Sequence, residues 1–269
     1  MRTPRFTDAT LLAGATFAML AWSLLAHTTL ASLAGIGVAL WFPASVRLYA
    51  VLLHWLPVAS GVRTHADYVP PSQQQQHELV ASCLLTAACT LTLLIYTPPS
   101  EALACAIALN FANLLAQFDR REGWLPNAIL MPMLLCGLLA GAGLGYPGSA
   151  ITGACTAWIL GGAGLFALSI SLRGNFMSGA DALLLCACGA WVGFGGIWAF
   201  LLFAGCGLWG VWAVRRTTRT PMVQVAPNAA LRPVWRYPLA IPCALGLLPV
   251  FLLRSTPLLP HWAQTLLGG

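Results

Sequence analysis

The sequence predicts an all-α protein: a polytopic transmembrane helical bundle of about eight to nine spanning helices, with its N-terminus cytoplasmic. Three observations predict it. The 269 residues are 59% hydrophobic and only 7% charged, with a mean hydropathy of +0.79, against roughly 25% charged residues in soluble domains. Apolar runs recur at lengths near the roughly 20 residues that a bilayer core demands. The basic residues, all thirteen of them arginine, fall in alternate connections between those runs, as the positive-inside rule requires.

By length, spanning segments are predicted at 9–26, 29–46, 79–97, 102–118, 128–145, 149–172, 180–194, 197–214 and 237–253. The first follows Arg2 and Arg5 as a signal peptide would, but its apolar core is too long for one and is read as a helix. Residues 48–59, with Trp55 and Pro57, are short for a span and are expected to lie along the interface or line a re-entrant turn. Pro70-Pro71 and the run Gln73 to Gln76 mark a polar linker. The predicted organisation is therefore N-terminal membrane anchor helices at 1–60, a linker at 61–77, a helical core at 78–253 and a C-terminal tail at 254–269. Within the core, Gly137, Gly141 and Gly145 repeat every fourth position, and so do Gly189 and Gly193. Such spacing lets helix backbones approach closely.

With the N-terminus inside, Arg2, Arg5, Arg47, Arg63, Arg120, Arg121, Arg173, Arg215, Arg216, Arg219, Arg232 and Arg236 all face the cytoplasm. Arg254 alone does not. The net charge of +6 is accordingly read as topology and contact with membrane lipid, and no nucleic-acid partner is expected. Nine cysteines are present but no CxxC pair. They are read as small packing residues, and no metal and no cofactor are expected.

Seven acids serve the whole chain: Asp8, Asp67, Glu78, Glu101, Asp119, Glu122 and Asp181. Asp181 opens the apolar stretch that follows Ser178-Gly179-Ala180, and Asp119 closes another one. A carboxylate at the threshold of a membrane helix is costly enough to be a functional candidate. Three readings of Asp181 stand side by side. Ser178 and Asp181 fit an S-x-x-D capping box; the acid serves ion or proton transfer; or it forms a catalytic pair with Asp119. Capping does not extend to Asp119, which ends its own helix. On the helix dipole, Asp181 would act as base and Asp119 as acid.

From Glu78 to Leu253 the chain resembles the prepilin peptidase family, the type IV prepilin leader peptidases with a GxGD-type motif. One signature is Asp119-Arg-Arg-Glu-Gly-Trp-Leu-Pro126-Asn127, an aspartate ending a helix before a short link and Pro-Asn. The second is Met177-Ser178-Gly179-Ala180-Asp181 leading to Gly189-Ala190-Trp191-Val192-Gly193. Tyr237-Pro238-Leu239-Ala240-Ile241-Pro242 is similar to the family's last helix. The chain departs from the family in having Ser178-Gly179-Ala180 before the aspartate and Leu183 in place of a lysine.

The resemblance implies an aspartic endopeptidase of the bacterial inner (cytoplasmic) membrane. Its catalytic residues would be Asp119 and Asp181, with Ser178, Gly179, Ala180, Pro126 and Asn127 supporting the motifs and Arg120, Arg121 and Arg173 as candidate substrate contacts. The implied partner is a prepilin or pseudopilin precursor. The four-cysteine module of larger members is absent, so N-methylation is not implied. Two alternatives are a family-shaped protein that binds pilin-like helices without cutting them, and, with less support, a transporter. The oligomeric state is not legible.

Overall fold

Proline and glycine punctuate the apolar runs and set where the helices begin, bend and end. The structure, a computed structural model, describes residues 29–62, 71–171, 178–218 and 238–255. The predicted segment 9–26, Arg173, the loop 219–237 and the end of the tail lie outside the described residues. Every regular element among the described residues is helical. By length and composition, five helices can cross a membrane: Gly35–Ala59, Gln73–Tyr96, Pro99–Glu122, Pro147–Ser171 and Gly179–Val211. Two shorter apolar helices are Asn127–Gly143 and Ala240–Leu253.

Contacts divide the chain into two compact units, Met1–Ala102 and Leu103–Gly269. In the first, α1 (Thr29–Ala59) packs on α2 (Gln73–Tyr96). Residues 48–59 are not a separate interfacial segment; they continue α1. Phe42, Val46, Tyr49, Leu53 and Leu56 are all buried, and their three- and four-residue spacing draws one apolar stripe across the expected break. Pro43 lies inside this helix without ending it. The glutamine run forms the first turn of α2, where Ser72 and Gln75 make a reciprocal capping box.

In the second unit, α3 (Pro99–Glu122) runs one turn beyond the predicted end at 118 and stops at Gly123, whose φ of 60° suits the left-handed residue after a helix. Next come α4 (Asn127–Gly143) and a long helix made of α5 (Pro147–Thr156), a π turn (Ala157–Gly161) and α6 (Gly162–Ser171). Gly145 is not part of the packing stripe. It follows the end of α4 with φ 89° and open space where a Cβ would stand, so its role is to turn the chain.

The last two described helices are α7 (Gly179–Thr218) and α8 (Ala240–Ser255). In α7, Gly193 has φ 70° and ψ 176°, which breaks the helix. Leu185 and Trp209 would stand roughly 36 Å apart on a straight helix, yet both line one groove. The two arms of α7, residues 179–192 and 194–218, therefore fold back on each other, and they correspond to the predicted segments 180–194 and 197–214.

Glycines bring these helices together. A Cβ on Gly153 would lie 2.5 Å from the carbonyl oxygen of Gly189, a separation that admits hydrogen only. On Gly141 it would lie 2.5 Å from the Ala150 methyl, and on Gly137 it would lie 3.0 Å from the Trp191 ring. The Trp191 indole donates to the Met133 carbonyl at 2.9 Å, and the Phe194 amide donates to Ser149 Oγ at 3.0 Å. The Gly-Ala-Trp-Val-Gly run thus sets backbone contact, a hydrogen bond and a chain reversal within five residues.

Candidate active site

Both aspartates are buried, Asp119 at 4% and Asp181 at 3% exposure. Burying a carboxylate is unfavourable unless hydrogen bonds replace its lost water, and the two obtain them differently. Asp181 stands in the first turn of α7, and its Oδ2 accepts the Ser178 amide and the Ser178 hydroxyl, each at 2.7 Å. The Asp181 amide donates back to Ser178 Oγ at 3.3 Å. The capping box read from the sequence is present, closed by the serine that stands where the family pattern has glycine.

That local geometry also answers the missing glycines. Gly179 and Ala180 lie within the helix, and Gly179 has no positive φ. A start of this kind requires no glycine, because its backbone is open to any L-residue.

Asp119 sits in the last turn of α3. Its Oδ2 accepts the backbone amide of Ala240, the first residue of α8, at 2.8 Å. The carboxylate therefore caps the amino end of another helix 121 residues away. Capping does extend to Asp119, but across the fold rather than along the chain. Both carboxyls now face amino ends of helices, so the dipole argument that made Asp181 the base and Asp119 the acid no longer separates them.

The same turn of α8 brings in two residues that the sequence reading left as packing. Cys188 on α7 and Cys243 on α8 are both buried, and Cys243 lies within electrostatic reach of both Asp181 and Asp119. A signal for Cys188 existed: it lies seven residues after Asp181, two turns along on the same face. No comparable signal marked Cys243, since its position against α7 is set by tertiary packing.

Other predicted site residues take supporting places. Pro126 is buried at the start of α4, and its carbonyl accepts the amides of Ile129 and Leu130. Asn127 is exposed on the first turn of that helix. Trp124, in the link between them, meets the Phe118 ring edge to face at 6.2 Å. Arg120 is exposed and Arg121 half-buried on the turn after Asp119. Among the described residues no cluster of three or more His, Cys, Asp or Glu side chains is arranged to hold a metal ion.

An apolar groove of about 500 Å³ lies beside the carboxyls. Leu185, one turn after Asp181, contributes to it, as do Leu239 and Cys243 on either side of the Asp119 anchor. Gly161, Gly164 and Gly205 lower its walls.

Buried acids at the amino ends of two apolar helices, among described residues that are helical in every regular element and include five helices able to cross a membrane, describe a multispan membrane protein. Residues 102–214, which contain both aspartates, match the type IV leader peptidase family. Over this stretch the chain is similar to that family, which is one of peptidases. Neither a curated protein nor a solved structure gives a match to the chain.

Proposed function

We propose that the protein is an aspartic endopeptidase that removes the leader of type IV prepilin or pseudopilin-like precursors at the cytoplasmic face of a bacterial inner membrane. The observation that carries this reading is the burial of Asp119 and Asp181, each hydrogen-bonded at the amino end of a helix and both within electrostatic reach of Cys243 in the first turn of α8. The match to the type IV leader peptidase family over the stretch that holds both acids supports it, as does the apolar groove that adjoins them. Eight to nine spans with the N-terminus inside belong to the same proposal.

Two carboxyls sharing a site do not both ionise readily, so one holds a proton while the other accepts one. The charged carboxylate takes a proton from water as the oxygen attacks the scissile carbonyl. The protonated partner donates to the carbonyl oxygen, and collapse of the tetrahedral intermediate returns a proton to the leaving amine. In this scheme the Ser178 and Ala240 donors orient the two carboxyls and hold them in place. The adjoining groove accepts the apolar part of the precursor.

The test is cleavage of a defined pilin-like precursor by the full chain, read by mass spectrometry. Asp119→Asn and Asp181→Asn are each expected to lower the rate by about 10²–10⁴-fold, the scale of general acid–base catalysis. Retention of cleavage in either variant would overturn the reading.

A second reading has a specific observation in its favour. Both carboxyls already cap helices, which is structural work that a non-cutting, pilin-binding protein would also need. Binding of the precursor without shortening, unchanged in the two amide variants, would select it.

A further inference from the structure

The helix that walls one side of the groove, α5 through α6, carries one residue too many for a regular α-helix. Its π turn, Ala157–Gly161, closes hydrogen bonds from i to i+5 and so holds about one more residue than an α turn. Packing on the first arm of α7 continues on both sides of this turn. A Cβ on Gly153 would lie 2.6 Å from the carbonyl carbon of Gly193, one on Gly189 would lie 2.6 Å from the Ala157 methyl, and one on Gly161 would lie 2.9 Å from a Leu185 methyl. These contacts advance four residues at a time on each helix, in opposite directions. The next step of the same count falls on Leu165 and Asp181.

Counting turns makes the extra residue visible. Leu165 follows Gly153 by twelve residues, which in plain α-helix is a rotation of roughly 1200°, about 120° beyond three full turns. With one residue taken up in the π turn the rotation is roughly 1100°, and the two residues share a face. Burial agrees: Gly153 and Leu165 are buried, whereas Gly164 and Phe166, the neighbours of Leu165, are exposed.

The same count defines a second arrangement. When the π turn relaxes to α, everything beyond it advances by roughly 100°, and each residue takes the seat of its successor. Leu160 then occupies the seat of Gly161, Gly164 that of Leu165, and Ala167 that of Leu168. Gly161, Gly164, Leu165 and Leu168 all line the groove. At the end of the wall nearer Asp181, two leucine side chains are thus replaced by a hydrogen and a methyl, and the groove widens. At the other end Leu160 enters a seat whose closeness to Leu185 suits glycine, which keeps the second arrangement the less populated one.

We propose that this π turn is a gate on the groove: its relaxation to α-helix turns α6 and exchanges the leucine wall near Asp181 for Gly164 and Ala167, admitting the apolar part of the precursor. The role in cleavage rests on the peptidase reading; the rotation does not.

Disulfide trapping reads the rotation, in a full chain with serine at the nine native cysteine positions. Gly161→Cys with Leu185→Cys reports the seated arrangement, and Leu160→Cys with Leu185→Cys reports the turned one. Both pairs are expected to form under mild oxidation, the second about 10–1000-fold more slowly, the scale of a minor state populated at roughly 0.1–10%. Deleting Ile159 removes the spare residue and leaves a plain α-helix with Gly161 still in its seat. The first pair should then persist and the second should be lost. Deleting Trp158 removes the same spare residue and should give the same result. A second pair that forms equally fast in the shortened proteins, or that never forms at full length, would overturn the proposal. So would failure of both shortened proteins to fold, since the residue would then not be spare.

With precursor as substrate, oxidising the Gly161→Cys, Leu185→Cys pair pins the turn and should lower cleavage by about tenfold or more, reversibly on reduction, as expected when a gating motion limits turnover. The shortened proteins should be slowed likewise. Unchanged cleavage in the pinned protein would remove the gating role. Should the unsubstituted protein cut no precursor, the peptidase reading fails and the disulfide pairs still decide the rotation.

Discussion

Asp181 and Asp119 are buried to nearly the same degree, yet one is held by its own chain neighbourhood and the other by a distant helix. Asp181 obtains its donors from Ser178, three residues away. Asp119 obtains a donor from Ala240, 121 residues away. The difference teaches how such a site is assembled. A local cap forms whenever its helix forms, whereas the distant cap exists only when α8 is docked, so Asp119 reports on the completed fold and Asp181 does not.

That contrast can be broken, first, at the packing on which docking depends. Gly189→Leu drives a side chain into the Gly153 carbonyl and the Ala157 methyl, and overpacking of this kind costs about 1–3 kcal/mol or more. A lowered thermal midpoint in detergent, with loss of cleavage, is the expected result. Ala240→Pro is sharper, because proline suits the first position of a helix while removing the amide that Asp119 accepts. Hydrogen bonds to charged groups are worth about 1.5–3 kcal/mol, so cleavage should fall by tenfold or more with helix content by circular dichroism unchanged. Equal activity in this variant would show that the distant anchor is dispensable.

Gly193→Ala comes next. It places a side chain at φ 70° and 2.8 Å from Ser149 Oγ, a strain of about 1–3 kcal/mol, and should appear as a lower midpoint that Ser149→Ala partly relieves. The smallest effect belongs to the local cap. Ser178→Ala removes the hydroxyl from Asp181 but leaves the backbone amide, costing about 0.5–2 kcal/mol. Gly179→Ala serves as its control, since that position is helical with open space around it. If Ser178→Ala outweighed Ala240→Pro in cleavage assays, the contrast between local and distant anchoring would be reversed.

Reading the sequence reached the local features because each is written in adjacent residues. Ser178 and Asp181 form the predicted capping box. Gly137 and Gly141 pack as their spacing implied, because a missing side chain on one helix face is visible without knowing the partner. Where the reading failed, the cause was an assumption about length or regularity. Residues 48–59 looked too short to span because they were separated from the segment predicted at 29–46, whereas the buried stripe from Phe42 to Leu56 runs straight through. Gly145 shares the spacing of the packing glycines but falls just past the end of α4.

What the sequence determined by itself was the class of the molecule and the identity of its two acids. So few charges in so apolar a chain leave little choice of either, because hydrophobic length and the cost of burying charge act on each segment alone. Tertiary structure decided what holds those acids and what lies beside them. The Ala240 amide on Asp119, the Trp191 indole on the Met133 carbonyl and the reversal at Gly193 against Ser149 each join residues dozens of positions apart. Such meetings depend on how helices dock, and docking is set by the combined shape of many surfaces rather than by any one stretch of chain.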